Sequence, residues 1–172
     1  MKKISITVLP EFYDRYINET DDIELSEALE NYSSNLLIED KNKLISLGNK
    51  VYEIGKWTVK DILQHLIDCE RIFCYRALRI ARNDKTPLPG FDENEYIPEA
   101  KTERRTIDEL LTELDTVRRT GILLFNSFDD EMLLRTGMCS GKNISVLAIG
   151  FTIAGHFLHH VNVIKEKYYP LV

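Results

Sequence analysis

The amino-acid sequence predicts an all-α four-helix bundle whose helices run in the order up, down, down, up. Apolar residues recur at helical spacing in four segments, the pattern of helices that each bury one face. Only 8 glycines and 5 prolines occur among 172 residues, so few positions would interrupt long helices. A chain of this length fits a single domain, residues 1–172, with a continuous core.

The first helix is predicted from Asp22 to about Leu37. A looser segment, residues 39–56, contains Gly48 and Gly55 and links it to the second helix. The residues expected on its buried face are Leu25, Ala28, Leu29, Tyr32 and Leu36.

The second helix has a well-specified start in the stretch "WTVKDI". Thr58 can cap the helix, Asp61 can complete a capping box, and Trp57 can pack on Ile62 across the first turn. The helix should end near Asn83, before two prolines. Its buried stripe is predicted to be Ile62, His65, Leu66, Cys69, Ile72, Phe73, Arg76 and Ile80.

The connection over residues 84–105 decides the predicted order of the helices. It is far longer than an antiparallel helix hairpin needs, so it can carry the chain back along the bundle and leave helices two and three parallel. A long functional loop on a simple up-and-down bundle would give a similar sequence.

Helices three and four each begin with a capping residue. Thr106 and Glu109 repeat the capping-box pattern, and Ser145 is the expected cap of the last helix. The third stripe comprises Ile107, Leu110, Leu114, Val117, Gly121, Leu124 and Phe128. The fourth comprises Val146, Ile149, Ile153, His156, Phe157, His160, Ile164 and Tyr168.

Charge and composition exclude several partners. A net charge of −6 opposes binding to a phosphate backbone, so we expect no nucleic-acid partner. Three cysteines without C-x-x-C spacing fit a reducing compartment and predict a cytoplasmic protein. The apolar run "ISITVL" is too short for a signal peptide, and we expect no later segment to reach a membrane span of ~20 apolar residues.

Three of the four histidines lie within five residues of one another, in "GHFLHH". His156 and His160 are one helical turn apart, so their side chains can converge on one ion. His65 lies on the buried stripe of another helix, and bundle interiors build metal sites from facing helices. A divalent cation would satisfy three neutral imidazoles at once, although core histidines paired by hydrogen bonds would produce the same sequence. Three histidine ligands with open positions indicate a catalytic metal site.

Several neighbours of these histidines have candidate roles. His159 points about 100° away from His160 around the helix, so we expect it partly exposed beside the site. Asp68 is interpreted as a carboxylate at the outer rim, Cys69 as a small buried packing residue, and Glu70 as pointing away. Arg76 or Tyr75 could hold a carboxylate of a cofactor or substrate, although the interpretation favoured for Arg76 is a buried arginine satisfied by helix-end or loop acceptors.

Two motifs resemble the DinB-like superfamily, a group of four-helix-bundle proteins with a three-histidine metal site. Its second helix opens with W-[ST]-x-x-[DE]-x-x-x-H, matched here by Trp57, Thr58, Asp61 and His65. Its fourth helix closes with G-H-x-x-H-H, matched from Gly155 to His160. The resemblance runs from about Asp22 to Tyr169. It implies His65, His156 and His160 as metal ligands, the up-down-down-up order, and a homodimer formed through helix packing.

The resemblance leaves the reaction open. Some relatives resemble thiol S-transferases that use a low-molecular-weight thiol such as bacillithiol, some are thiol-dependent isomerases, and many are named as hydrolases that depend on a metal. We therefore expect a divalent-metal-dependent enzyme, a thiol S-transferase or hydrolase acting on a small molecule, with zinc or nickel as the first metals to consider. Asp68 is the only nearby carboxylate that the sequence nominates as a base, which favours thiol transfer slightly. The competing interpretation is a non-catalytic metal-binding or stress-associated protein.

Overall fold

The computed structural model describes all 172 residues, Met1–Val172, and it is mostly helical. Four helical layers form a bundle, with short helices, 3₁₀ turns and one β-hairpin in the connections. The α-helices are α1 Asp14–Ile17, α2 Leu25–Asn31, α3 Asn35–Ile38, α4 Lys41–Leu47, α5 Val59–Ala81, α6 Glu93–Ala100, α7 Ile107–Asn126, α8 Asp130–Leu134 and α9 Val146–Val163. The hairpin strands are β1 Thr136–Cys139 and β2 Lys142–Ser145. The 3₁₀ helices are Lys3–Ser5, Thr102–Arg104 and Tyr169–Leu171, and a π-helical turn, Ile164–Tyr168, continues α9.

The first layer is not the continuous helix that the sequence predicts. The chain leaves the helical conformation at Tyr32 (φ −95°, ψ 68°), so the layer is divided into α2, α3 and α4. Arg118 of α7 donates hydrogen bonds to the carbonyl oxygens of Leu29 (2.9 Å) and Tyr32. A continuous helix would use such carbonyls internally. The break therefore exchanges helix hydrogen bonds for hydrogen bonds to a buried arginine.

Both predicted capping boxes are confirmed. Thr58 accepts a hydrogen bond from the Asp61 amide (3.2 Å), and the Asp61 carboxylate accepts one from the Thr58 amide (2.9 Å). Thr106 and Glu109 make the same pair at the start of α7. These local contacts fix where the two central helices begin.

Helices α5 and α7 run parallel to each other. Gln64 accepts a hydrogen bond from Arg105 (2.7 Å), and Glu70, further along α5, meets Arg118, further along α7. The contacts therefore advance in the same direction along both helices. This parallel arrangement requires the long return connection over residues 84–105.

Helices α5 and α9 run antiparallel to each other. His65 lies 5.0 Å from His160 between ring centroids, whereas Phe73, two turns later in α5, lies 6.1 Å from the earlier His156. The first layer is in turn antiparallel to α7, since Tyr32 contacts Arg118 and Lys41 contacts Asp108. The order up, down, down, up is thereby confirmed.

The connections contain structure that the sequence analysis did not predict. The β-hairpin between α8 and α9 turns at Ser140 and Gly141, both with positive φ (51° and 76°). Leu88 of the long connection donates its amide to Met138 (2.8 Å) and accepts from the Ser140 amide (3.0 Å). The hairpin thus holds the long connection against the end of the bundle.

Helix α9 is the central helix of the bundle. Together with its continuation it forms a 26-residue helical segment, Val146–Leu171, that is long and apolar enough to cross a membrane by length and composition alone. This corrects the expectation that no segment would reach that limit. Since 72% of its most apolar window is buried inside the protein, its composition is that of a core helix packed by the other layers.

The core is divided into two apolar clusters that meet at the histidines. Along α5, residues up to Ile67 belong to one cluster and residues from Cys69 onward to the other. Along α9 the boundary falls between Ala154 and Phe157. His65 and His156 therefore lie in a polar layer between two hydrophobic regions.

Candidate metal centre

Three of the predicted site residues meet in this polar layer. Nε2 of His156 lies 3.0 Å from Nε2 of His65 and 3.2 Å from Nε2 of His160. His65 comes from α5, and the other two occupy successive turns of α9, as the helical spacing predicts. The tertiary structure thus brings together the three histidines that the sequence singled out.

Burial keeps these imidazoles neutral at physiological pH. It lowers the pKa of His65 to about 4, because the charged ring would lose its hydration. Burial also places the pKa values of His156 and His160 well below the ordinary range, and repulsion among the histidines lowers them further. A neutral imidazole offers a nitrogen lone pair to a metal.

The hydrogen-bonding capacity of the cluster fits a divalent cation. A neutral imidazole carries one N–H donor, so Nε2 of His156 cannot be fully satisfied by two facing Nε2 atoms. The Nδ1 atom of His160 is buried and has no hydrogen-bond partner. Nitrogens that share a tetrahedral zinc at ~2.0–2.1 Å are separated by about 3.3 Å, close to the two distances given above.

Cys69 lies nearer to the histidines than its predicted packing role requires. Its Sγ atom is 3.6 Å from Nδ1 of His65, and the ligating atoms of His65, Cys69 and His156 all lie within 4.8 Å of one another. Burial raises the pKa of this thiol, which favours its protonated form when no cation is present. The chain therefore offers His160 and Cys69 as competing third ligands beside His65 and His156.

A cavity of about 330 Å³ opens beside the histidines. His65, His156 and Cys69 contribute to its lining. Its apolar walls come from α1 and the residues just before it, from α5 and from the long connection, and its charged lining residues come from α5, α6 and the hairpin. The aromatic lining residues are Phe12, Tyr13, Tyr16, Phe73 and Phe91. The charged lining residues are Arg76, Glu93 and Lys142.

Glu93 is a cavity residue that the sequence analysis missed. It occupies the first turn of α6, directly after the capping residue Asp92, whose carboxylate accepts the Asn94 amide (2.8 Å). The only signal in the sequence was the acidic run "DENE" within the long connection. Nothing local showed that this run would return to the histidines.

Two residues nominated from the sequence do not reach the cavity. The Asp68 carboxylate accepts a hydrogen bond from Gln64 (2.9 Å) and lines a separate surface depression, so the rim position predicted for it is wrong. Tyr75 is 52% exposed, and its hydroxyl accepts a hydrogen bond from Arg79 (2.7 Å). Of the pair proposed to hold a carboxylate, only Arg76 lines the cavity.

The remaining histidine of the cluster faces the N-terminal segment. Nδ1 of His159 lies 2.9 Å from a carboxylate oxygen of Glu19, and its side chain is partly exposed. The Tyr16 ring packs edge-on against both His156 (4.9 Å) and His159 (5.5 Å). The close approach of the α1 backbone to α9 depends on Gly155, because a Cβ atom at this position would lie 1.9 Å from the Tyr16 carbonyl oxygen.

Comparison with known proteins gives one family and several relatives. The model of a family described as the DinB superfamily matches residues 46–164. A protein of Bacillus mycoides (strain KBAB4), named "putative metal-dependent hydrolase", is 26% identical over 158 residues, which span 90% of this chain and 84% of the relative. A protein of Bacillus cereus (strain B4264) with the same description is 26% identical over 157 residues, 89% and 83% of the two chains.

A solved structure shares the architecture. YfiT from Bacillus subtilis is described as "a probable metal-dependent hydrolase with an unusual four-helix bundle topology". It superposes with a TM-score of 0.65 over 94% of this chain and 88% of its own, at 18% identity. At that identity the likeness demonstrates a common fold.

Proposed function

The chain belongs to the DinB superfamily, and on that basis we propose that it is a metal-dependent hydrolase of a small molecule. The ligands in this proposal are His65, His156 and His160, and the metal is zinc or nickel. The observation that carries the proposal is the convergence of three neutral imidazoles beside a cavity open to small molecules. The names of the Bacillus relatives support the same chemistry.

The residues around the histidines supply the remaining requirements of hydrolysis. A divalent cation provides Lewis acidity, which makes a water molecule more acidic and polarises the bond to be cleaved. Glu93 is the carboxylate of the cavity and would accept the proton of the attacking water. The aromatic walls would exclude bulk water and position the substrate.

Glu93 changes the balance between the two reactions expected from the sequence. Thiol transfer was slightly favoured because Asp68 was the only carboxylate that the sequence nominated as a base, and in this proposal Glu93 would take that role. Thiol S-transfer with a low-molecular-weight thiol remains the second candidate, because Arg76 and Lys142 would suit an acidic thiol. A closed, purely structural metal site fits less well, since the cavity reaches two of the histidines.

Metal content tests the ligand set directly. We expect about one equivalent of divalent metal in tag-free protein purified from cells grown with zinc and nickel. The His156→Ala and His160→Ala variants should contain almost none. Elemental mass spectrometry gives the content, and circular dichroism verifies folding. His159→Ala and Cys69→Ala are the matched controls and should retain the metal. Retention in His160→Ala together with loss in Cys69→Ala would replace His160 by Cys69 as the third ligand.

Catalysis tests the role of Glu93. Metal-loaded protein should hydrolyse at least one member of a panel of esters and amides of small acids. With that substrate, Glu93→Gln should reduce kcat about 100-fold while leaving the metal content unchanged, because the attacking water loses its proton acceptor. Glu95→Gln, on the same helix but lining the separate depression, should retain the activity. Equal rates for both variants would exclude Glu93 as the base.

If no member of the panel is hydrolysed by metal-loaded protein, the hydrolase proposal fails. The same protein would then be assayed for loss of a low-molecular-weight thiol in the presence of an electrophile, the reaction of the second candidate.

A further inference from the structure

Arg76 is a buried cation without an anionic partner. The residue is 3% exposed, and none of the ion pairs in the protein includes it. Arg118, the other buried arginine, is 2% exposed and binds both carboxylate oxygens of Glu70. Burying a charge is costly unless an opposite charge compensates it. The fold provides that compensation for one arginine and leaves the other without it.

The guanidinium of Arg76 is held in place by neutral acceptors. Its Nη2 atom donates to the Pro89 carbonyl oxygen (2.7 Å) and to the Ser140 hydroxyl (3.1 Å). These acceptors belong to the long connection and the hairpin, the two segments that Leu88 joins. The acceptors explain the fixed orientation of the side chain, as one interpretation of the sequence anticipated. They do not engage Nε or Nη1.

Arg76 also belongs to the wall of the histidine cavity. The guanidinium lies 5.8 Å from the ring centroids of both Phe73 and Phe91, and all three side chains line the cavity. The Nε–H and Nη1–H donors remain to bind an anion, and a hydrogen bond from a charged guanidinium to a carboxylate is stronger than one between neutral groups. Lys142 is the second cation of the lining, and its own partner, Glu11, is an exposed residue outside the cavity.

From these contacts we propose that Arg76 binds the carboxylate of the substrate, and that the substrate is a small carboxylic acid with an apolar or aromatic body. A volume of about 330 Å³ is at the small end for ligand sites, and the aromatic lining suits an apolar body. A monoanion is preferred over a dianionic phosphate, because Glu93 faces the same space and would repel the second charge. With the carboxylate at Arg76, the opposite end of the molecule lies toward His65 and His156.

The position of the reacting end depends on the proposed hydrolase function, but the carboxylate site does not. It can therefore be tested in full-length protein from which metal has been removed, as verified by elemental mass spectrometry. The probes are benzoate, its neutral analogue benzamide, and inorganic phosphate. We expect benzoate to bind about 10-fold more tightly than either of the others by isothermal titration calorimetry.

Variants assign the binding to Arg76. Arg76→Gln should weaken benzoate binding about 10-fold or more, because the charged donor is lost. Arg79→Gln, whose arginine pairs with Asp84, should bind benzoate as the unaltered protein does. Equal affinity for benzoate and benzamide, a preference for phosphate, or undiminished binding by Arg76→Gln would overturn the proposal. Benzoate binding that appears only after metal is restored would also overturn it.

A measurement on the unaltered protein covers the case in which Arg76→Gln does not fold. The Nε–H resonance of Arg76 in a ¹H–¹⁵N spectrum, assigned with Arg76→Lys, should shift when benzoate is added and should not shift with benzamide. An unchanged resonance at saturating benzoate would overturn the proposal. Failure to bind metal would overturn the hydrolase function and leave this result unaffected.

Discussion

Arg118→Met is expected to lower the free energy of unfolding by about 3–5 kcal/mol, the range for breaking a buried ion pair from one side. Nε of Arg118 lies 2.7 Å from Glu70 and Nη2 lies 3.0 Å from it, with both side chains 3–4% exposed. The substitution leaves the Glu70 carboxylate buried without a counter-charge. It also removes the donor to the carbonyl oxygens of Leu29 and Tyr32, where the first layer of the bundle breaks.

Urea denaturation followed by circular dichroism measures this effect. Arg119→Met is the matched control, since Arg119 is 76% exposed and its pair with Asp115 is a surface contact worth at most about 0.5 kcal/mol. The double variant Glu70→Met with Arg118→Met should recover part of the loss, because no unpaired charge remains. A loss under about 1 kcal/mol for Arg118→Met would mean that water reaches the pair, contrary to its burial.

Gly155→Ala is expected to destabilise the protein by about 3 kcal/mol, at the upper end of the range for overpacking. The added Cβ would lie 1.9 Å from the Tyr16 carbonyl oxygen and 2.5 Å from its carbonyl carbon. These are backbone atoms, so the whole α1 segment must move away from α9. Since the Tyr16 ring packs on His156, we also expect the variant to alter the wall of the cavity.

Gly150→Ala is the comparison variant, because Gly150 lies earlier in α9 and its added Cβ would clash with side chains instead of backbone. Its Cβ would meet the Leu25 methyl groups at 2.7 and 2.8 Å, and these ends can rotate away. We expect a loss of about 1 kcal/mol, since both variants gain the same helix propensity and only one forces backbone to move. The two variants are compared by urea denaturation. Equal losses would show that α1 yields easily and that close packing on Gly155 contributes little to stability.

The elements that the sequence predicted well depend on local contacts. The two capping boxes join residues three positions apart, so their pattern is visible in the chain itself. His156 and His160 share a face because a helical turn places them one above the other. The long connection predicted the parallel pair α5 and α7, because no short hairpin can join two parallel helices.

The failures at the first layer and at the site involve contacts between distant segments. The break after α2 is set by Arg118, which lies 86 positions from Tyr32. Arg118 itself was absent from the predicted stripe of α7, because a charged residue at the edge of an apolar pattern is indistinguishable from an exposed one. Asp68 was nominated as the base because it lies close to His65 in the sequence, whereas Glu93 reaches the cavity only through the fold of the long connection.

The sequence by itself determined the three long helices α5, α7 and α9, the order of the bundle and the three histidines, because helical periodicity and capping are encoded within a few residues of one another. Only the tertiary structure decided what surrounds those histidines. Packing of α1, α6 and the hairpin against α5 and α9 placed Tyr16, Glu93 and Lys142 around one cavity. It also left Arg76 buried there without a counter-charge, because burial and ion pairing depend on which distant segments meet.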